Sequence, residues 1–120
     1  MHEVSIMQNA LDIAIAQAQQ SKAAKIDCLT LNIGELSGVI PEALEFAFEV
    51  LSQGTIMENA QLEINSIPVV CHCQKCDRDF QSERYIYQCP HCQQISSNIV
   101  AGRELELVSV VVSTQRASDS

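Results

Sequence analysis

An α+β fold is what this chain's pattern predicts: a three-stranded sheet with two helices on one face, plus a small cysteine-rich module inserted between the last two strands. Three observations carry that expectation. Residues 5–20 place apolar side chains at three- and four-residue steps. Residues 26–36, 60–67 and 104–113 alternate apolar with polar side chains. Two Cys-x2-Cys pairs fall between the last two of these alternating runs.

The first helix is expected over 5–20, with Met7, Leu11, Ala14 and Ala18 as its buried stripe and Ile6, Ala10 and Ile13 widening it. Ser5 with Gln8 has the form of a capping box, the alternative being a helix that begins a turn earlier, and either way His2 sits at or just before its start. Residues 26–36 read as a strand with Leu29, Leu31 and Ile33 on one face. Pro41 suits the first turn of a second helix and Gly54 its end. Between them Ala43, Leu44, Ala47, Phe48 and Leu51 make an apolar stripe that Phe46 and Val50 broaden. In the strand over 60–67, Leu62 and Ile64 point inward and Gln61, Glu63 and Asn65 outward. The last strand covers 104–113, and the polar tail after Thr114 is expected to fray. The expected division is 1–70 with 96–120 as the main domain and 71–95 as the insertion, tethered near Pro68-Val69-Val70 and Ser96-Ser97-Asn98.

A chain of 120 residues is long enough to bury its own core, so its six cysteines are not needed as disulfides merely to fold it. The net charge of −8 comes from 15 acidic against 7 basic side chains, and the basic ones form no cluster. That balance argues against nucleic acid, whose binders present a basic patch. No segment approaches the roughly 20 apolar residues of a membrane span. Glu3 stands where a secretory signal would carry Lys or Arg, so the expectation is a cytoplasmic protein with reduced thiols.

The inserted cysteines are spaced Cys73-x2-Cys76, then twelve residues, then Cys89-x2-Cys92. Two residues between thiols let both sulfurs reach one ion at about 2.3 Å from a tight turn, and two such knuckles complete a tetrahedron. The spacing is that of a zinc ribbon, with a hairpin expected from Asp79-Phe80-Gln81 and Tyr85-Ile86-Tyr87-Gln88. A closed four-thiolate site is structural, because it leaves no coordination position open for chemistry. Iron would fit the same ligands, and a thiol redox pair fits them less well. Cys71 and His72 stand beside the first knuckle as uncertain additional ligands. His91 reads as an exposed loop histidine, and Cys28 as a small apolar strand residue.

The N-terminus carries a second constellation. The Met1 amine, the His2 backbone nitrogen and the His2 ring nitrogen can chelate one ion in fused rings, with a fourth donor from the Glu3 amide or carboxylate. A square plane of nitrogen and oxygen donors selects Ni(II) or Cu(II) over zinc. The bulky second residue is expected to hinder removal of Met1. Taken alone the motif is weak, since a lone N-terminal histidine is more often a solvated side chain.

The start Met1-His2-Glu3, the stretch Gly34-Glu35-Leu36-Ser37-Gly38-Val39 with Pro41-Glu42, the helix residues Phe46-Ala47-Phe48, the Gly54-Thr55 segment and the two knuckles together resemble the HypA/HybF family. The likeness runs from Met1 to about Ser113. It implies a nickel metallochaperone for [NiFe]-hydrogenase maturation, with Ni(II) as cargo and Zn(II) structural. On that resemblance the nickel site maps onto His2 with Met1 and Glu3, and the zinc site onto Cys73, Cys76, Cys89 and Cys92. The implied partners are a GTPase and the hydrogenase large-subunit precursor, with urease maturation proteins for some members. Cys71 and His72 depart from the family pattern.

Three function classes follow. A carrier needs an ion held selectively but openly, which a terminus supplies. A zinc-ribbon interaction scaffold would dock partners without carrying nickel. A metal-dependent hydrolase would need an open zinc position. Neither a nucleophile–base arrangement nor a Gly-rich phosphate loop is evident, so the expectation is not an enzyme. Glu104 and Glu106 read as a solvated face. The expected state is a monomer or weak homodimer.

Overall fold

The structure is a computed structural model that describes residues 2–82 and 86–114. Its elements run α1 (His2–Gln20), β1 (Lys25–Gly34), α2 (Pro41–Leu51), β2 (Gln61–Ile67), β3 (Val70–Cys73), β4 (Arg78–Gln81), β5 (Ile99–Ala101) and β6 (Leu105–Ser113). They form two three-stranded sheets, ordered β2-β1-β6 and β4-β3-β5.

The most buried strand of the larger sheet, β1, is its central one. It pairs in parallel with β2 through the α2 crossover and antiparallel with β6. Its buried residues Ile26, Leu29, Leu31 and Ile33 meet both helices in one core. Ile26 and Leu29 share a face although three residues apart, because a bulge falls between Ile26 and Cys28. A second bulge places an extra residue, Val108, on β6, so Leu107, Val110 and Val112 all reach the core. The opposite face is polar. Thr30 donates to Glu63 at 3.4 Å, Asn32 to Glu106 at 3.3 Å and Asn65 to Asn32 at 3.0 Å. The expected α+β architecture, two helices on one face of a three-stranded sheet with the cysteine module inserted, is the one observed.

In α1 the stripe is Met7, Ala10, Leu11, Ala14 and Ala18, all buried. Each large side chain so buried is worth about 1.5–3 kcal/mol relative to exposure. One expectation fails here. Ile13 is 53% exposed, and Ile15 packs inward instead. The helix starts at His2, the earlier of the two expected starts, so Ser5 is not a cap and Gln8 reaches forward to Asp12 at 2.9 Å. In α2, Pro41 opens the helix as expected and Leu44, Ala47 and Phe48 are buried. Phe46 and Val50 are 67% and 51% exposed, because a single contact face is narrower than the apolar stripe. The helix ends at Leu51, ahead of Gly54.

The smaller sheet is built from β3 at its centre, with β4 and β5 both antiparallel to it. β4 pairs with β3 and Gln88 bridges Ile95, while residues 83–85, where the expected hairpin of 79–81 with 85–88 would close, lie outside the described residues, as does the tail from residue 115. Among the described residues no helix is long and apolar enough to cross a membrane.

Candidate metal centre

The two Cys-x2-Cys turns are built alike. The N–H of Asp77 donates to Cys73 O at 2.8 Å, and the N–H of Gln93 donates to Cys89 O at 2.9 Å. Each closing residue sits just past the second cysteine of its pair with a positive φ, +53° at Asp77 and +67° at Gln93. That left-handed step curls the chain so that both thiols of a pair face one point. Side chains pay for this conformation with steric crowding. Gln93→Gly is therefore expected to stabilise the protein by about 0.5–1 kcal/mol, despite losing the exposed 3.3 Å bond from Gln93 to Pro90 O. Denaturant unfolding of the metal-loaded protein would check it, and an unchanged midpoint would mean that the turn stores no strain.

The two turns meet. The Sγ atoms of Cys73, Cys76, Cys89 and Cys92 all lie within 4.8 Å of one another. Cys73 and Cys92 are 3.5 Å apart, and Cys76 and Cys89 are 3.9 Å apart. A tetrahedron with ~2.3 Å metal–sulfur bonds has edges of about 3.8 Å, so the spacing fits one ion held by four sulfurs. Electrostatics favours the same occupant. Backbone N–H groups of Cys92 and His91 pull the Cys89 thiol down to about 7. Desolvation, with Cys92, Cys89 and Cys73 crowded around it, pushes Cys76 up to about 12. Four thiols this close resist joint ionisation, and a divalent cation removes that resistance.

The flanking candidates lie elsewhere. Cys71 is fully buried in the core of the small sheet, outside the four-sulfur group, and burial pushes its thiol up. His72 has both ring nitrogens against carboxylates, Nδ1 at 2.8 Å from Asp79 and Nε2 at 3.4 Å from Asp77. The Asp79 hydrogen bond leads in raising its pKa above the ordinary histidine value. His91 is exposed, as expected, and its Nε2 accepts from Arg78 at 2.8 Å, a bond that ties one knuckle to the other.

At the other candidate site, Met1 and the His2 side chain lie outside the described residues. The backbone of His2 opens α1, with Glu3 in the first turn. The Glu3 carboxylate accepts from the Ile40 N–H at 3.1 Å, and this bond leads in holding its pKa below the usual carboxylate value. Ile40 precedes α2 and has no side chain able to cap it, so an acid from α1 serves that helix start. Sequence reasoning did not find this link, because it joins positions 37 residues apart. The same holds for Leu36, which packs into the core around the sulfurs. Glu106 lies on the solvated face as expected, whereas Glu104 accepts from the Gly102 N–H at 2.8 Å.

Residues 1–112 match the family described as hydrogenase/urease nickel incorporation, metallochaperone, HypA. A hydrogenase maturation factor HypA from Picosynechococcus is 49% identical over 112 residues, covering 93% of this chain and 99% of that one. One from Chloroflexus aggregans is 39% identical, covering 92% and 97%. Among solved structures, a HypA protein in solution superposes with a TM-score of 0.72 at 26% identity, over 96% of this chain and 98% of that one. The nickel metallochaperone HypA of Helicobacter pylori gives 0.64 at 24%, over 94% and 98%, a likeness of fold.

Proposed function

Because this chain belongs to the HypA family of nickel-incorporation metallochaperones, we propose that it binds Ni(II) at its N-terminus and, with a GTPase partner, delivers it to the [NiFe]-hydrogenase large-subunit precursor. It is a metallochaperone of hydrogenase maturation and not an enzyme. The nickel donors in this reading are the Met1 amine, the His2 amide and ring nitrogens, and the Glu3 amide. Cys73, Cys76, Cys89 and Cys92 hold a structural zinc, which cross-links the two knuckles. Nickel binding falls to residues 1–70 with 96–120, and zinc to 71–95. The protein works in the cytoplasm, and urease maturation proteins are further candidate partners.

The observation that carries the nickel assignment is the start of α1 at His2. Amides in a first helical turn donate to no carbonyl of their own helix, so deprotonating those of His2 and Glu3 breaks no helix bond. The positive helix end favours the resulting anions. A doubly charged ion with two amidates is neutral overall, so the same helix end does not repel it. The Glu3 carboxylate is engaged with Ile40, which favours the Glu3 amide over its side chain as the fourth donor.

Titration of tag-free protein with Ni(II) tests the reading. His2→Ala is expected to weaken nickel binding about a hundredfold while zinc content stays unchanged, since it removes one donor and the chelate ring built on it. An N-terminal extension that moves the amine should do the same. Affinity should also fall as pH drops through the ordinary histidine range, because each donor must lose a proton before it binds. Nickel bound equally by wild type and His2→Ala would overturn the site. Normal hydrogenase maturation by His2→Ala under nickel scarcity would favour the alternative, a zinc-ribbon scaffold that docks partners.

A further inference from the structure

The segment between β1 and α2 touches both metal regions. At its start three backbone bonds fasten it to the linkers entering and leaving the small sheet. Gly34 donates to Glu104 O at 2.7 Å, Glu35 to Ile67 O at 2.9 Å and Leu36 to Gly102 O at 2.7 Å. The Leu36 side chain then packs against the core formed by Val69, Cys71, Cys73, Phe80 and Cys89, two of which are sulfur ligands. At the far end, the Ile40 N–H holds the Glu3 carboxylate at 3.1 Å.

Little slack separates these anchors. Ser37 N–H returns to Gly34 O at 3.0 Å, and Val39 N–H donates to Ser37 Oγ at 3.2 Å. Val39 packs on the main core. A short, internally bonded strap transmits a displacement at one end to the other, because packed side chains and hydrogen bonds have few alternative arrangements. Its two ends lie on the thiolate module and on the first turn of α1.

We propose that Leu36 is a positioning residue for nickel: seated in the core of the thiolate module, it sets the strap whose Ile40 N–H holds Glu3, and so fixes the turn that presents the nickel donors. The inference rests on the N-terminal nickel site proposed above. It makes the folded zinc module a condition for tight nickel binding, without requiring any ligand shared between the two ions. Zinc loading thereby reports to the cargo site that the carrier is assembled.

The test uses tag-free, zinc-loaded protein and four variants, Leu36→Ala, Leu36→Met, Ile40→Pro and His2→Ala. Leu36→Ala empties the seat and is expected to weaken Ni(II) binding about tenfold at full zinc content, roughly the worth of one charge-assisted hydrogen bond. Leu36→Met refills the volume and should restore the affinity. Ile40→Pro deletes the N–H that holds Glu3 and leaves Leu36 and the thiolate module unaltered. Ile40 is 58% exposed at φ −94°, and its carbonyl still accepts from Ala43 and Leu44. It should reproduce the tenfold loss without touching the module, and it decides the matter if Leu36→Ala fails to fold. Wild-type nickel affinity in Ile40→Pro, with binding lost in His2→Ala, would overturn the strap and leave the nickel site standing. Wild-type affinity in all variants, His2→Ala included, would overturn both.

Discussion

Cys73→Ser is expected to empty the zinc site and unfold the small sheet while leaving the helices in place. A serine hydroxyl does not ionise near neutral pH, so the ion would be left with three thiolates. Structural zinc in small modules contributes on the order of 10–16 kcal/mol of apparent binding free energy. Losing one of four ligands should therefore weaken binding by about a thousandfold or more. The damage is local because the protein has two separate cores. Val69, Cys71, Cys73, Phe80 and Cys89 form one, while Met7, Leu11, Leu29, Leu44 and Met57 belong to the other. The small core is cysteine-rich and poor in large apolar side chains, so the metal must supply what packing does not. Elemental analysis should find zinc below stoichiometry, and hydrogen exchange should show β3, β4 and β5 unprotected with α1 and β1 still protected. Retained zinc would remove Cys73 from the ligand set. Equal loss of protection in α1 would mean that the two cores fold as one.

Local pattern announced some of this architecture and was silent on the rest, for definable reasons. The four-sulfur site was legible because each knuckle is written in consecutive residues, and only one partner turn exists for each. The α1 stripe was legible because Met7, Leu11, Ala14 and Ala18 repeat at the helical period. Leu36 was not. It ends the expected strand over 26–36 one step out of phase with Leu29, Leu31 and Ile33, so alternation points it away from their core and gives it no partner, whereas the strand stops at Gly34 and Leu36 turns toward the other core. Local pattern assigns no element to Ile99–Ala101, because a three-residue strand is defined only by β3, its distant partner. Phe46 and Val50 read as core from hydrophobicity alone, but which side of α2 meets the sheet is settled by packing. The Glu3 link shares that cause: no local rule relates a first-turn acid to the residue before another helix.

Gly34→Ala tests the junction that holds the two units together, and it is expected to cost more than about 3 kcal/mol, enough to lower the melting temperature by about 10 °C or more. A methyl group at Gly34 would lie 2.1 Å from Gly102 O, 2.2 Å from Gly102 C and 2.5 Å from Arg103 N. All three are backbone atoms, so no rotamer change relieves the clash and the 102–103 linker itself must move. That linker cannot yield on its far side, where a Cβ at Gly102 would already stand 2.9 Å from Val69 Cα. Moving it also strains the bonds of Gly34 to Glu104 O and of Leu36 to Gly102 O, both 2.7 Å long. Gly38→Ala is the control. It lies on the same strap at φ +80° with nothing within 4 Å of its Cβ, so it carries the cost of a left-handed residue and no collision, about 1 kcal/mol. Equal costs for the two variants would show that backbone contact at Gly34 is not what joins the sheets. A large difference, with nickel affinity also reduced in Gly34→Ala, would place the start of the strap among the groups on which cargo binding depends.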